Sequence, residues 1–404
     1  MAKIQLFSLI LLLGLVTAKI SEETVANTSI VTLEKHCDAT SAQTIMEAFD
    51  IEGEYLAELN KIVVSATKTL LEAKLQEMPK DWLQIESVSS CIKRIERDEI
   101  VSLPESETHE VIDISLESSS QNNTWHLDRV NQRSSILDGD SDQNTESTNT
   151  VHVYIIDSGV DRYHIYLSAK CPSSDSEHYD VFNPDDDPCD FYACDSNSHG
   201  THVAGLVAAT RFGYNPNATI HAVKVFDESG TSSVYNILKG INWVLQHDKQ
   251  ISFTDGKRTS PAVANLSLGG GYSKTSNDSA ESLYDQGIVV VVAAGNESED
   301  ACDKSPASLP EAITIGATAE GDARAYFSNY GDCVDFYAPG QSIWSTIPDN
   351  QLGIKSGTSM ASPVVAGVIS ANIAKNETLW DPAQVQSDFK CNATPQTVTD
   401  NISG

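Results

Sequence analysis

Three short segments, far apart in the 404-residue chain, carry the side chains of a nucleophilic catalyst. They are Val153-Tyr-Ile-Ile-Asp157-Ser-Gly159, Asn197-Ser-His199-Gly-Thr-His202-Val-Ala-Gly205 and Ser356-Gly-Thr-Ser359-Met-Ala-Ser-Pro363. A serine hydroxyl attacks poorly at neutral pH, so it needs a base to take its proton and a buried carboxylate to fix that base's tautomer. Asp157, His199 and Ser359 supply all three types. Each also has a plainer use: an Asp after a strand caps a turn, a Ser caps a helix, and a His among small residues is a satisfied structural group, the role expected for His202.

These side chains must be held by rigid elements. The run Val151 to Ile156 has no carboxylate, lysine or arginine and is rich in β-branched residues, which predicts a buried parallel strand with Asp157 at its end. Catalytic groups gather at the carboxyl ends of such strands. The small residues after His199 suit a tightly packed helix. Pro363 lacks an N–H and is tolerated only near a helix start, which puts free backbone donors and a positive dipole end beside Ser359.

The order Asp, His, Ser is that of the subtilisin triad. From about Trp125 to the region of Cys391 the chain resembles the subtilisin-like serine peptidases, and within them the proteinase K branch; Ala293-Ala-Gly-Asn296 is a fourth matching motif. The resemblance implies that Asp157 orients, His199 acts as general base and then general acid, Ser359 attacks the scissile carbonyl and Asn296 donates its amide to the oxyanion. It implies further that Ser267, Leu268 and Gly269 form an edge that pairs with an extended peptide. Ala293, Ala294 and Gly295 would wall the main specificity pocket, with Ser305-Pro-Ala-Ser308 at its base. Small uncharged residues there favour an apolar or aromatic side chain before the cut bond. No cofactor is needed for such chemistry, but the carbonyls of Pro310 and Ala312 with the Asp335 carboxylate are expected as a structural calcium site. By the same resemblance Cys302 and Cys333 form a disulfide. Two features depart from the family: Gly230-Thr-Ser-Ser233 lacks an aromatic residue, and the 42-residue separation of Asp157 from His199 is long and includes the acidic run Asp185-Asp-Asp187.

Lys3, the apolar run Ile4 to Val16 and Thr17-Ala18 read as a secretory signal peptide over residues 1–18. Residues 19–117 carry strand patterns at Ser29–Leu33 and Lys61–Val64 and helical spacing at Ala42–Phe49 and Thr67–Met78. They resemble, more weakly, the small α/β inhibitory propeptide of the family. Pro104 to Gln121 is polar and suits a processing linker, with self-cleavage expected near Leu116 to Ser120. Residues 118–404 are the expected peptidase domain. Eight cysteines in an exported chain point to disulfides, and Cys37 with Cys91 is one candidate pair. A net charge of −31 argues against nucleic acid as a partner. Nine Asn-x-Ser/Thr sequons occur, of which Asn265 and Asn296 are expected to stay bare because they fall at the cleft.

Apolar strands alternating with helical stretches at Ser233–His247, Ser279–Gln286 and Ser362–Ala374 predict a three-layer α/β domain with a mostly parallel sheet. The reading is therefore a secreted, monomeric serine endopeptidase made as a zymogen, acting on proteins or peptides and inhibited by its own propeptide. It has no membrane anchor; a vacuole or cell wall is the alternative destination. An inactive binding protein that keeps its propeptide is the rival of a different class. An esterase would need a Gly-x-Ser-x-Gly elbow, whereas Ser359 sits in Gly-Thr-Ser-Met-Ala.

Overall fold

The computed structural model describes residues 21–77, 85–103, 110–113, 124–141, 143, 149–168, 170–183, 195–376, 380–395 and 397–399. The leader at 1–18, the stretch Leu116 to Ser120, the Asp185–Asp187 run, Cys189, Cys194 and the sequons at Asn122 and Asn401 lie outside them.

The apolar run after Val151 forms β1 (His152–Asp157), an inner strand of a seven-stranded sheet. In chain order the others are β2 (Tyr179–Asp180), β3 (Thr219–Lys224), β4 (Ala262–Leu266), β5 (Ile288–Ala293), β6 (Ile313–Thr318) and β7 (Phe336–Pro339). Across the sheet they run β7-β6-β5-β4-β1-β3-β2, and the ladders joining them are parallel. Strand order thus turns back at β1, between β4 and β3. That switch point is where a crevice opens beyond the carboxyl ends, and Asp157 lies there.

Four helices cover the sheet: α1 (His199–Ala208), α2 (Val234–Ile251), α3 (Lys274–Asp285) and α4 (Thr358–Lys375). A parallel strand buried on both faces must be apolar on both, and alternate residues of β1 serve two cores. Val153 and Ile155 pack with α1 and α4, whereas Tyr154 and Ile156 pack with α2 and α3. The three-layer α/β arrangement follows. α3 starts earlier than its apolar spacing suggests, because the Ser273 hydroxyl caps it by accepting from the Ser276 N–H and because its buried face holds Thr275, Asn277 and Ser279.

The segment before the sheet is a separate layer. Its strands Ser29–Leu33 and Lys61–Val64 lie between Gly53–Leu56 and Ile92–Arg97 in an antiparallel four-stranded sheet, with helices at Ala39–Phe49 and Lys68–Glu77. Val31, Ile45, Phe49, Ile62 and Leu71 form its own core, and Cys37 is joined to Cys91. Its other face, with Ile30, Leu56, Leu59 and Val63, merges into the core under α2 and α3. Polar contacts at that seam include Arg94 to Asp278 at 2.9 Å and the Glu58 N–H donating to Asn242 at 3.0 Å. Beyond it, Ile100–Ser102 pairs antiparallel with Thr231–Ser233. Val111–Asp113, expected as open linker, pairs with Gln351–Gly353. Three residues are too few to show an alternation against a polar background.

Candidate active site

Asp157 is fully buried, and its Oδ1 accepts from the Ser158 N–H at 2.7 Å. His199 is the first residue of α1, with Nδ1 at 2.8 and 3.0 Å from the two Asp157 oxygens. So close an approach depends on Gly200, where a Cβ would fall 2.1 Å from the Gly159 carbonyl oxygen. Asp195 completes the frame and was missed in the sequence, where it follows an acidic run and reads as one more solvated carboxylate. It is 6% exposed and accepts from the Asn197, Ser198 and Thr201 N–H groups and from the Thr201 and Ser158 hydroxyls. The Ser158 hydroxyl in turn accepts from the Gly200 N–H at 2.9 Å, so the strand end and helix start are stitched together. An Asp just ahead of a helix is a capping signal, and it is the signal that could have found this residue. Lys355 is buried nearby; desolvation lowers its pKa, opposed by the charges of Asp195 and Asp157.

With Nδ1–H donated to the carboxylate, the His199 Nε2 carries the basic lone pair. That atom is buried and without a hydrogen-bond partner, while the Ser359 hydroxyl donates to the Ser267 carbonyl at 3.2 Å. The Asp–His link is therefore made and the His–Ser bond is not. Such bonds are often long or absent before substrate arrives.

Ser359 lies in the first turn of α4, where its N–H has no acceptor within the helix. Asn296 Oδ1 accepts from both the N–H and the hydroxyl of Thr358, at 2.9 and 2.8 Å, which fixes the direction of its amide. The space that a Cβ on Gly357 would fill is 3.2 Å from Asn296 Nδ2 and 3.6 Å from the Ser359 nitrogen. Two donors thus face one small cradle, as an oxyanion requires.

Pro363 is inside α4 rather than at its edge. Its missing N–H leaves the Ser359 carbonyl free of a helical partner, and the Ser267 hydroxyl donates to that carbonyl instead at 2.9 Å. Ser267 also accepts from Asn265 Nδ2 at 2.8 Å and lies 2.9 Å from the Ser362 hydroxyl. Ser267 is thereby fully buried behind Ser359. Leu268, Gly269, Ala293, Ala294 and Gly295 line a pocket that ends at Ser359, with Ser305 and Ala307. Two charged residues not foreseen there, Glu297 and Lys304, also line it and pair at 3.7 Å. Ser102 reaches the same pocket.

His202 is a structural group, with Nε2 at 3.0 and 3.1 Å from the carbonyls of Ile343 and Gly353 and a pKa held well below the usual range by burial. Cys302 and Cys333 are joined, whereas Cys171 and Cys391 are free thiols. Asn265 is fully buried and the sequon residue Asn277 is 5% exposed, which leaves Asn27, Asn217, Asn376 and Asn392 at the surface. The three oxygens expected to hold calcium are engaged by helix α5 (Pro382–Asn392). Gln386 donates to the Pro310 carbonyl at 3.2 Å and to that of Ala312 at 3.5 Å, and Lys390 pairs with Asp335 at 3.1 Å. An ammonium group where the cation would sit does not fit a calcium site.

The profile of the Subtilase family, Peptidase_S8, matches residues 148–404. The chain belongs to the subtilase family. It is 36% identical over 306 residues to the alkaline serine exoprotease A of Vibrio alginolyticus, covering 76% of this chain and 52% of that protein. To the extracellular serine proteinase of Thermus sp. (strain Rt41A) it is 39% identical over 277 residues, covering 68% of this chain and 62% of the relative. The chain thus spans about half to three fifths of the length of these relatives. The crystal structure of a cold adapted subtilisin-like serine proteinase superposes with a TM-score of 0.61 at 34% identity, over 69% of this chain and 94% of that one. The fold is subtilisin-like. Among the described residues no helix is long and apolar enough to cross a membrane.

Proposed function

We propose that this subtilase is a serine endopeptidase, exported and made with an inhibitory segment, that cuts broadly with a preference for uncharged apolar or aromatic residues before the cut bond. The observation that carries the reading is the buried Asp157–His199 pair at the start of α1, a helix that shares its core with α4, together with Ser359 and Asn296 of one pocket. In the reaction the Ser359 hydroxyl passes its proton to His199 Nε2 as its oxygen attacks the scissile carbonyl. Asp157 stabilises the imidazolium, and the Ser359 N–H with the Asn296 amide holds the oxyanion. The imidazolium then protonates the leaving amine. Water, deprotonated by the same base, releases the acyl group from Ser359. The name of one relative, an extracellular serine proteinase, supports export.

Inhibition by the N-terminal segment is supported by Ile100–Ser102, which adds a strand to Thr231–Ser233, with the Leu103 N–H donating to the Gly230 carbonyl at 2.8 Å. A substrate would add its backbone in the same way. Ser102 and Ser359 line one pocket, which supports a cut shortly after Leu103, ahead of the strand Val111–Asp113 and of the stretch Leu116 to Ser120 expected from the sequence. Labelling with a sulfonyl fluoride tests the chemistry: modification of Ser359 that is lost in His199→Ala is expected, and an inert Ser359 in the processed protein would overturn it. Mass spectrometry of the mature N-terminus is expected to find a first residue between 104 and 110. An N-terminus beyond residue 113 would overturn the placement of the cut.

A further inference from the structure

Away from Ser359, histidines gather under the sheet in a way the reaction does not use. His152 and Tyr154 of β1, His221 of β3 and His247 of α2 meet beside Glu177, which precedes β2. Tyr154 pairs with His221 and Asp157 with Lys224 across the β1–β3 ladder. The cluster therefore lies three residues back from the catalytic strand end, roughly 10 Å along the strands.

Three donor atoms converge closely enough that small shifts would bring them around one ion. Glu177 Oε2 is 3.5 Å from His221 Nδ1 and 3.3 Å from His247 Nε2, and the three atoms lie within 4.8 Å of one another. Ligands bound tetrahedrally at about 2.0–2.1 Å stand about 3.3–3.4 Å apart. His247 is 5% exposed, and its Nε2, 3.3 Å from Glu177 Oε2, has no hydrogen-bond partner. The opposite ring nitrogens are already held, as they are in metal sites. His247 Nδ1 is 3.0 Å from the Tyr154 hydroxyl and His221 Nε2 is 2.9 Å from His152 Nδ1. The Glu177 side chain is 29% exposed, which gives an ion a way in.

We propose that Glu177, His221 and His247 bind a divalent transition-metal ion of the zinc class, with solvent in the fourth position. His247 keeps its Nδ1 proton on the Tyr154 oxygen. At His221 the proton moves from Nδ1, now against the Glu177 carbonyl at 2.9 Å, to Nε2, and His152 shifts tautomer to receive it. The ion ties the segment before β2 to β3 and α2. The other compatible grouping, His36 with Cys37 and Cys91, is disarmed because its cysteines form a disulfide.

The test uses the full chain with Ser359→Ala, to silence any self-digestion, stripped with a chelator and titrated with Co2+ and then Zn2+ by equilibrium dialysis and visible absorption. One ion per chain with the intense bands of low-coordinate cobalt is expected. Glu177→Gln should weaken uptake at least tenfold, His247→Gln should abolish it and His36→Ala should leave it unchanged. Absence of saturable uptake, uptake indifferent to Glu177→Gln, or loss with His36→Ala would each overturn the site. Should His247→Gln fail to unfold cooperatively, the partly exposed Glu177→Gln decides alone.

Discussion

Replacing Ser267 by alanine should destabilise the protein without touching the substrate surface. The hydroxyl serves the Ser359 carbonyl and the Asn265 amide, in residues that are 2% and 0% exposed. Each buried group left unpaired costs about 1–3 kcal/mol, so Ser267→Ala is expected to cost about 2–6 kcal/mol. The cause lies in Pro363, whose missing N–H is what hands the Ser359 carbonyl to Ser267. In Pro363→Ala the helix regains a donor for that carbonyl, at about 1 kcal/mol lost through a looser unfolded chain. Ser267→Ala should then cost less, with a coupling of about 1 kcal/mol or more between the two sites. Urea unfolding of the four proteins of this cycle, all carrying Ser359→Ala, which keeps the carbonyl and prevents autolysis, measures it. If Ser267→Ala costs the same with Pro363 in place as it does alongside Pro363→Ala, within about 0.3–0.5 kcal/mol, the link between proline and serine is refuted.

Asn296→Ala should lower kcat about 100- to 1,000-fold with little change in KM, because the lost donor acts on the oxyanion and not on bound substrate; peptide hydrolysis kinetics check it, and a rise in KM alone would move Asn296 to the binding step. His126 is fully buried, with Nε2 2.9 Å from the Phe212 carbonyl and a pKa pushed by burial down to about 4. Between pH 6.5 and 4 the unfolded chain binds the proton and the folded one does not, so stability falls on acidification across that window and levels off below it. His126→Gln, in urea titrations over that range, should reduce the slope by up to one proton; an unchanged slope would assign the loss to other groups. Millimolar calcium should shift the unfolding midpoint of the Ser359→Ala protein equally with and without Asp335→Asn, since Lys390 and Gln386 hold the oxygens that this site would need. A rise in Tm that Asp335→Asn abolishes would show that calcium displaces them.

The strands and the Asp157–His199 pair were legible for one reason: a strand buried on both faces admits almost nothing but apolar residues, and the groups that end such strands stand out against them. Asp157 after Val153-Tyr-Ile-Ile and His199 ahead of a small-residue helix are signals of that kind. What stayed hidden depends on long-range pairing of ordinary polar residues. Asp195 is indistinguishable by type from the acids before it in sequence, yet folding brings the Ser158 hydroxyl and the Thr201 N–H onto its carboxylate beside His199. Ser267 reads as a cleft residue from its neighbours Leu268 and Gly269, and only the sheet's register shows its side chain turned inward beneath Ser359. The histidines are the extreme case, spread over residues 152, 221 and 247 with no motif spacing at all. β1 and β3 pair in a register that sets His152 and Tyr154 beside His221, and α2 then lays His247 over them. The same parallel ladder that delivers Asp157 to the cleft therefore delivers an imidazole cluster to its back. A one-residue slip of β1 would send Tyr154 and Asp157 to the opposite faces, so the register of β1 against β3 and β4 holds both the candidate metal site and the candidate catalytic carboxylate in place.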